Sequence, residues 1–275
     1  MRRRLDVEMV RRGLATSRSE AALAIRSGSV SVQGRPAVKA STLVLPHESI
    51  TISGPVRPFV SRGGEKLEAA LDRFRIDVSD RSALDAGASS GGFTDCLLSR
   101  GAALVIAVDV GYGQLDWRLR NDERVIVLER TNARDLAPDA LPFAPEVVTG
   151  DLSFISLRLA IPALVRCSSP RAEFVLLVKP QFEARAKEVE AGGVVSDLSV
   201  WRRVLSEVAT ALTAEGVGAV GVMASPLLGP AGNAEFFLYG RRPGELGSSP
   251  AERNGSLDVA VESAVDEASR LIHRR

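Results

Sequence analysis

The stretch Asp85-Ala86-Gly87-Ala88-Ser89-Ser90-Gly91-Gly92-Phe93 decides the fold of this chain. It follows a short apolar run at residues 82–84 and leads into a segment of helical length. Glycines at such a turn let the backbone approach a ligand closely, and the first turn of the helix offers free N–H groups. The stretch therefore predicts a ligand-binding turn between a strand and a helix of an α/β sheet.

Apolar runs rich in β-branched residues recur along the chain, with helix-length segments or loops between most of them. The runs lie at residues 82–84, 104–108, 124–128, 146–149, 174–178 and 217–223. A helix over residues 65–74 precedes the first of them. This alternation predicts a doubly wound, Rossmann-like α/β domain with a mostly parallel sheet, in which ligands bind at the carboxyl ends of the strands.

The residue that ends the second predicted strand indicates the kind of ligand. Asp109 stands where a carboxylate can accept hydrogen bonds from the ribose hydroxyls of a nucleoside cofactor. The first turn does not match the G-x-G-x-x-G pattern of dinucleotide folds, and Asp85 stands before its first glycine. This acidic-x-Gly form resembles the cofactor loop of methyltransferases. S-adenosylmethionine is therefore favoured as the cofactor, and NAD is the weaker alternative.

Ionisable residues also stand where buried strands are predicted to end. Asp151, Lys179 and Glu235 each adjoin an apolar stretch, and Lys179 directly follows the run at 174–178. A charge in such a position is costly unless it faces a wet or functional cleft. Three such residues at the cofactor edge of one sheet indicate a reaction site. Lys66, on the helix before the first strand, either completes this group or is an exposed helix lysine.

The first sixty residues differ from the rest of the chain in charge. They carry ten Lys and Arg against four Asp and Glu, a net +6, which leaves −5 on the other 215 residues. A basic unit on a slightly acidic body suggests attachment to a phosphate backbone. The apolar spacing predicts two short helices that end near Gly13 and Gly28, followed by a small β-ribbon that turns at Gln33-Gly34.

This unit resembles the alpha-L RNA-binding domain of a small-subunit ribosomal protein, pseudouridine synthases and tyrosyl-tRNA synthetases. The resemblance depends on three segments: Arg4-Leu5-Asp6, Gly13-Leu14-Ala15-x-Ser17-Arg18 and Gly28-x-Val30-x-Val32-x-Gly34. It implies an RNA partner rather than DNA. The residues expected to contact RNA are Arg4, Arg11, Arg12, Arg18, Arg26, Lys39 and Arg62, each of which has the alternative interpretation of a solvated surface charge.

In order and context, Lys66, Asp151, Lys179 and Glu235 resemble the Lys-Asp-Lys-Glu tetrad of FtsJ-type ribose methyltransferases. Together with the alpha-L unit, the chain resembles the TlyA family in these segments: 61–67, 85–94, 109–115, 131–134, 151–156 and 179–183. The resemblance implies that the tetrad is catalytic. It also implies a cofactor site formed by Asp85, Gly87, Ala88, Ser89, Gly91, Gly92, Phe93, Asp109, Val110, Asn132, Ala133 and Asp151.

The family resemblance implies methylation of the ribose 2′-hydroxyl of cytidine in ribosomal RNA, within ribosomal subunits. The arginines at the N-terminus are similar to the longer form of the family, which is associated with both 16S and 23S RNA. The expected domains are residues 1–56 for RNA binding, 57–60 as a linker containing Pro58, and 61–275 for methyl transfer. Whether Lys179 acts as a base or as a charged group that orients the hydroxyl stays open.

Two other classes of function compete with this one. Proteins similar to the TlyA family are often labelled haemolysins, which would make the chain a membrane-active lysin; a non-catalytic ribosome-binding factor is the other alternative. The longest apolar run, at residues 102–108, is far shorter than the roughly 18–20 residues of a membrane span. The arginines at 2–4 are not followed by the apolar stretch of an export signal. We therefore expect a cytoplasmic protein that needs neither a membrane nor a metal.

Overall fold

The computed structural model describes residues 2–15, 17–26, 29–37, 39–52, 58–242 and 254–273. The chain divides into two compact units, Met1–Arg57 and Pro58–Arg275. Of the linker expected at 57–60, residue 57 lies outside the described residues, as does the segment 243–253 of the tail.

The first unit contains the two helices and the β-ribbon that the sequence predicts. Its elements are β1 (Arg3–Arg4), α1 (Leu5–Arg11), α2 (Arg18–Arg26), β2 (Val30–Val32), β3 (Arg35–Pro36), β4 (Leu43–Val44) and β5 (Ile50–Ile52). Leu5, Met9 and Ile25 from the helices pack with Val30 and Ile50 from the ribbon in one apolar core. Arg11 and Arg18 of these helices are exposed to solvent, whereas the acidic residues Asp6 and Glu8 of α1 are buried.

The second unit is a doubly wound α/β domain, which confirms the predicted fold class. Its strands are β6 (Ser82–Ala86), β7 (Leu104–Val108), β8 (Val125–Leu128), β9 (Val147–Gly150), β10 (Glu173–Val178), β11 (Gly218–Ala224) and β12 (Phe236–Arg241). Its helices are α3 (Arg62–Phe74), α4 (Gly92–Ser99), α5 (Trp117–Arg120), α6 (Leu157–Cys167), α7 (Pro180–Glu183), α8 (Leu198–Ala214) and α9 (Asn254–His273). Among the described residues these strands form one seven-stranded sheet in the order β11-β12-β10-β9-β6-β7-β8.

The sheet is parallel except at β12, which pairs antiparallel with both β10 and β11. The carboxyl ends of the parallel strands and the amino end of β12 consequently lie along the same edge. The paired residues Val178 and Phe236 mark this edge on β10 and β12. In doubly wound folds, this edge is where ligands bind.

Helices cover both faces of the sheet. Along β6, Leu84 and Ala86 face the core that α6, α8 and α9 help to form, whereas Ala83 faces the core of α3 and α4. This alternation follows from the two-residue period of a strand. Asp85 therefore projects toward the side of α4, where it meets Thr94.

One strand differs from the sequence-based expectation. The segment around Glu235 was predicted to end a strand, but Glu235 stands directly before β12. Because β12 runs antiparallel, its first residues lie at the same edge as the last residues of β10. Glu235 thus lies at the edge formed by the carboxyl ends of the parallel strands, although it precedes its own strand. The hydrophobic pattern of the sequence cannot reveal this, because the direction of a strand is set by its tertiary pairing.

Candidate active site

A cleft of about 310 Å³ opens at the carboxyl ends of the central strands. Its walls come from the segments after β6, β7, β8 and β9 and are both polar and apolar. The lining residues are Gly87, Ser89, Val108, Asp109, Val110, Gln114, Thr131, Asn132, Ala133, Asp151, Leu152, Ser153, Phe154 and Ile155. Its position is the one that the sheet topology favours for a nucleotide-like ligand.

The turn after β6 brings its backbone close to the opposite wall. Gly87 has a φ of +85°, and a Cβ placed there would lie 2.6 Å from the carbonyl oxygen of Asp151. Only glycine fits this position without strain. The nearby Asp85 is fully buried and accepts a 2.7 Å hydrogen bond from Thr94 Oγ1 through Oδ2.

One oxygen of the Asp85 carboxylate is left to accept a hydrogen bond from a ligand. Its Oδ1 is buried and has no hydrogen-bond partner among them. Burial raises the pKa of Asp85 to about 7, because the charged form has lost its hydration. A buried acceptor of this kind fits a ligand group that donates a hydrogen bond or carries a positive charge.

Asp109 is held rigidly at the edge of the cleft. Its Oδ2 accepts the backbone N–H of Ser89 at 2.8 Å, and its Oδ1 accepts that of Gly111 at 2.6 Å. Each carboxylate oxygen can accept more than one hydrogen bond, so capacity for two ribose hydroxyls is left. The two backbone bonds fix the direction in which that capacity points.

Two ion pairs form among Lys66, Asp151, Lys179 and Glu235, at the edge of the sheet where the parallel strands end. Lys179 Nζ lies 2.6 Å from Asp151 Oδ1 and donates a 2.7 Å hydrogen bond to Ser153 Oγ. Lys66 Nζ lies 2.5 Å from Glu235 Oε2, and both side chains are at least nine-tenths buried. An ion pair so deeply buried costs desolvation energy, which favours a functional role over a stabilising one.

Four separate elements bring these groups together. Asp151 directly follows β9 and Lys179 directly follows β10, two neighbouring parallel strands. Extending the pairing of Val178 with Phe236 by one residue places Glu235 across from Lys179. Lys66, one turn into α3, completes the second pair from the helix layer.

Comparison with known families identifies the architecture. The FtsJ-like methyltransferase model matches residues 59–242, and the S4 domain model matches residues 3–50. The chain belongs to the FtsJ-like methyltransferase family. The S4 match corresponds to the predicted alpha-L unit, and membership of the family identifies the protein as a methyltransferase.

Individual relatives match this chain over most of its length. It is 51% identical over 267 residues to the "16S/23S rRNA (cytidine-2′-O)-methyltransferase TlyA" of Mycobacterium tuberculosis, covering 97% of this chain and 98% of that protein. It is 37% identical over 237 residues to "Hemolysin A" of Brachyspira hyodysenteriae, covering 86% and 98%. A solved structure described as a hemolysin from Streptococcus thermophilus is 34% identical, covers 99% and 98%, and gives a TM-score of 0.77.

The hemolysin names concern those relatives. In the part of this FtsJ-like chain that the structure describes, no helix combines the length and the apolarity that a membrane span requires.

The structure brings most of the predicted cofactor residues of this methyltransferase to the cleft. Those that line it are Gly87, Ser89, Asp109, Val110, Asn132, Ala133 and Asp151. Ala88 lines a small adjacent cavity. Asp85, Gly91, Gly92 and Phe93 are not among the lining residues of the cleft. Asp85 is fully buried, a Cβ on Gly92 would lie 2.9 Å from the backbone nitrogen of Gly64, and Phe93 stacks on Phe237 in the core. Gly92 thus lets α4 pack closely on α3, whereas the position of Gly91 lies against Leu115 and Leu119.

Among the lining residues that were not singled out from the sequence, two in the segment 151–156 have distinctive contacts. Ser153 accepts the Lys179 hydrogen bond. Phe154 has a φ of +64°, is 91% exposed and packs against Phe182 with ring centroids 5.2 Å apart and the rings tilted by 48°. A large aromatic residue held in a strained backbone conformation at the mouth of a cleft is a signal of function. Sequence alone shows only an apolar residue.

A buried glutamate joins the two segments that carry Asp151 and Lys179. Glu183 accepts the backbone N–H of Leu157 at 2.6 Å and the hydroxyl of Ser156 at 2.5 Å. Burial raises the pKa of Glu183. The carboxylate thereby caps α6 and ties the segment after β9 to the segment after β10.

The predicted RNA contacts divide into different groups. Arg4, Arg11, Arg18, Lys39 and Arg62 are exposed, while the side chain of Arg26 lies outside the described residues. Arg12 differs, as its guanidinium donates to the backbone oxygens of Leu45, Pro46 and Glu48 and to the carboxylate of Glu8. We therefore interpret Arg12 as a residue that holds the fold together rather than as an RNA contact.

Proposed function

We propose that this protein transfers a methyl group from S-adenosylmethionine to the ribose 2′-hydroxyl of cytidine in ribosomal RNA. In this proposal, residues 1–56 dock on RNA and residues 61–275 carry out the chemistry. The observation that carries the proposal is the Lys179–Asp151 ion pair, 2.6 Å long, at the mouth of a nucleoside-sized cleft. The relative named as acting on 16S and 23S rRNA supports both RNAs as substrates.

Several residues of the cleft fit the proposed cofactor. The carboxylate of Asp109 is placed to accept the two ribose hydroxyls, and the open backbone at Gly87 leaves room for close approach. The unpartnered Oδ1 of Asp85 suits the ammonium group of the methionine part. When bound, S-adenosylmethionine supplies the methyl group as an electrophilic sulfonium.

The role of the catalytic pair follows from hydrogen-bond geometry. The Lys179 ammonium has three N–H donors, one of which is donated to Ser153, while Asp151 lies 2.6 Å away as the ion-pair partner. A further N–H is left to bind the 2′-oxygen and to stabilise the negative charge that develops on it during attack. The hydroxyl proton is released to solvent. The ion pair with Asp151 and the hydrogen bond to Ser153 fix the position of the ammonium, which supports the role of an orienting donor.

The exposed groups around the cleft suit a single nucleotide drawn out of a folded RNA. Enzymes that act on a nucleotide within a duplex turn it out of the stack and hold it against aromatic side chains. The Phe154–Phe182 pair offers such a surface, and Lys179 lies 5.8 Å from the ring centroid of Phe182. The base would then rest on an aromatic ring while its ribose faces the ion pair.

The cofactor assignment predicts the effect of changing Asp109 to asparagine. The amide has only one acceptor oxygen, and its NH2 group faces the backbone N–H of Ser89 or Gly111. The variant therefore loses a hydrogen bond to its own loop as well as acceptors for the cofactor. Loss of one to two charge-assisted hydrogen bonds predicts about 10- to 100-fold weaker binding of S-adenosylmethionine by calorimetry. Asp116→Asn is the matched control, because Asp116 caps α5 and does not line the cleft. Equal affinity of the Asp109 variant and wild type contradicts the assignment.

The proposed reaction is tested on its product. Purified protein is incubated with S-adenosylmethionine and each unmethylated ribosomal subunit, and the RNA is digested and analysed by mass spectrometry. We expect 2′-O-methylcytidine in 16S and in 23S RNA, with no gain of base methylation. Methylation confined to a base, or no methylation of either RNA by a protein that binds the cofactor, overturns the proposal.

A further inference from the structure

Asp6 is a buried acid within the basic first unit. Asp6 is only 3% exposed, yet its negative charge repels RNA phosphates. The docking role gives the arginines of this unit a function but leaves the acid without one. Its contacts show what it does.

The Asp6 carboxylate binds arginines from two elements. Arg4, at the start of α1, donates from Nε to Oδ1 and from Nη2 to Oδ2, both at 3.0 Å. Arg18, the first residue of α2, donates to Oδ2 from Nη2 at 3.2 Å. The hydrogen bond from Arg4 lowers the pKa of Asp6 to about 2. The carboxylate therefore stays charged at neutral pH and holds both guanidinium groups.

The guanidinium groups of both arginines are still open to solvent on their other side. The Arg4 side chain is 47% exposed and the Arg18 side chain is 62% exposed. Each guanidinium turns its Nε and Nη2 edge toward Asp6, so its Nη1 edge is directed away from the carboxylate. Arginine has five N–H donors, and the outward edge keeps enough of them for a phosphate oxygen.

We propose that Asp6 positions Arg4 and Arg18 for contact with RNA phosphates, so that this acid strengthens RNA binding despite its charge. A mobile arginine loses side-chain freedom when it binds, and this loss weakens the complex. An arginine already fixed by Asp6 has lost that freedom before RNA arrives. The inference rests on the proposed docking function of the first unit.

The neighbouring acid Glu8 has a different role. It is 1% exposed and binds Arg11 and Arg12, and Arg12 in turn holds three backbone carbonyls of the turn at 45–48. Through Arg12 the Glu8 carboxylate holds the fold, although it also binds the exposed Arg3 and Arg11. Both ion pairs of Asp6, by contrast, are made with exposed arginines. Asp6 is for this reason the residue to change.

The test is the affinity of the full-length Asp6→Asn variant for purified ribosomal subunits. Charge alone predicts tighter binding, because a negative charge has been removed from the docking unit. Positioning predicts binding that is about threefold to tenfold weaker. Asparagine can still accept the Val7 N–H that Asp6 accepts at 2.9 Å, and thermal unfolding checks that the fold is kept.

Glu48→Gln is the matched control. It removes the same charge from the same unit, and the Glu48 carboxylate accepts the backbone N–H of Leu45 at 2.7 Å without touching Arg4 or Arg18. We expect this variant to bind as tightly as wild type or more tightly.

A variant that lacks both arginines distinguishes a positioning role of Asp6 from a general loss of structure. In the Arg4→Gln, Arg18→Gln protein, Asp6→Asn should change the affinity by less than about twofold, because the groups it positions are absent. Unchanged or tighter binding of the single Asp6 variant overturns the inference, and so does equal weakening in both backgrounds. Methyl transfer by wild type to the same subunits reports on the proposed function separately, since it can succeed when the Asp6 result fails.

Discussion

Replacing Lys179 with alanine is expected to slow single-turnover methyl transfer to ribosomal subunits by about a hundred- to a thousandfold. This is the range seen when one preorganised donor to a developing negative charge is removed. The affinity for S-adenosylmethionine should change little, because Lys179 contacts Asp151 and Ser153 and does not line the cleft. A loss confined to the chemical step marks an interaction made only in the transition state.

Lys187→Ala is the matched control for this experiment. Lys187 lies eight residues further along in a short exposed turn, so its loss should leave the rate unchanged. A Lys179→Ala variant that keeps a near-wild-type rate contradicts the catalytic assignment, and it returns the non-catalytic ribosome-binding factor as the better explanation.

Lys179→Arg separates the two roles that the sequence leaves open. Arginine keeps the positive charge and its donors but cannot accept a proton at neutral pH. Measurable activity well above that of Lys179→Ala therefore supports an orienting donor. Activity equal to that of the alanine variant favours a base.

The sequence predicts that Asp151 and Lys179 meet at one edge of the sheet, because charged residues mark the ends of buried strands. A charge after an apolar run is costly, so Asp151 and Lys179 stood out, and parallel strands place such ends together. The sequence could not show that Asp151 pairs with Lys179 while Glu235 pairs with Lys66. Such pairing depends on the antiparallel β12 and on how α3 packs, both of which are tertiary features.

Glycine and arginine show the same limit at single residues. The motif at 85–93 predicts close approach to a ligand at each glycine, yet Gly87 opens on the cleft whereas Gly92 serves the packing of α4 on α3. Likewise Arg11 and Arg12 are neighbours of one type, and only Arg12 turns inward to bind the turn at 45–48. Residue type gives the chemistry that is available, and packing decides where it is used.

The buried Lys66–Glu235 pair gives the largest expected effect on stability. Glu235→Ala leaves the Lys66 ammonium, 8% exposed, without the carboxylate 2.5 Å away. Breaking a buried ion pair from one side costs about 3–5 kcal/mol of unfolding free energy, because an uncompensated charge is left behind. We therefore expect a markedly lower midpoint in urea unfolding, together with loss of methyl transfer. Loss of activity in this variant alone does not distinguish a catalytic group from a structural one.

The double replacement Lys66→Met, Glu235→Leu makes that distinction. Exchanging a buried ion pair for apolar residues of similar size is often neutral or stabilising, so the urea midpoint should return to within about 1 kcal/mol of wild type. If the pair serves the chemistry, single-turnover methyl transfer should stay at least a hundredfold below wild type in this stable protein. Since Glu235 lies across from Lys179 at the sheet edge, loss of its charge alters the field around the lysine that we propose binds the 2′-oxygen. A stable double variant with wild-type rates would show that the pair only supports the fold and that Lys179 and Asp151 suffice for the reaction.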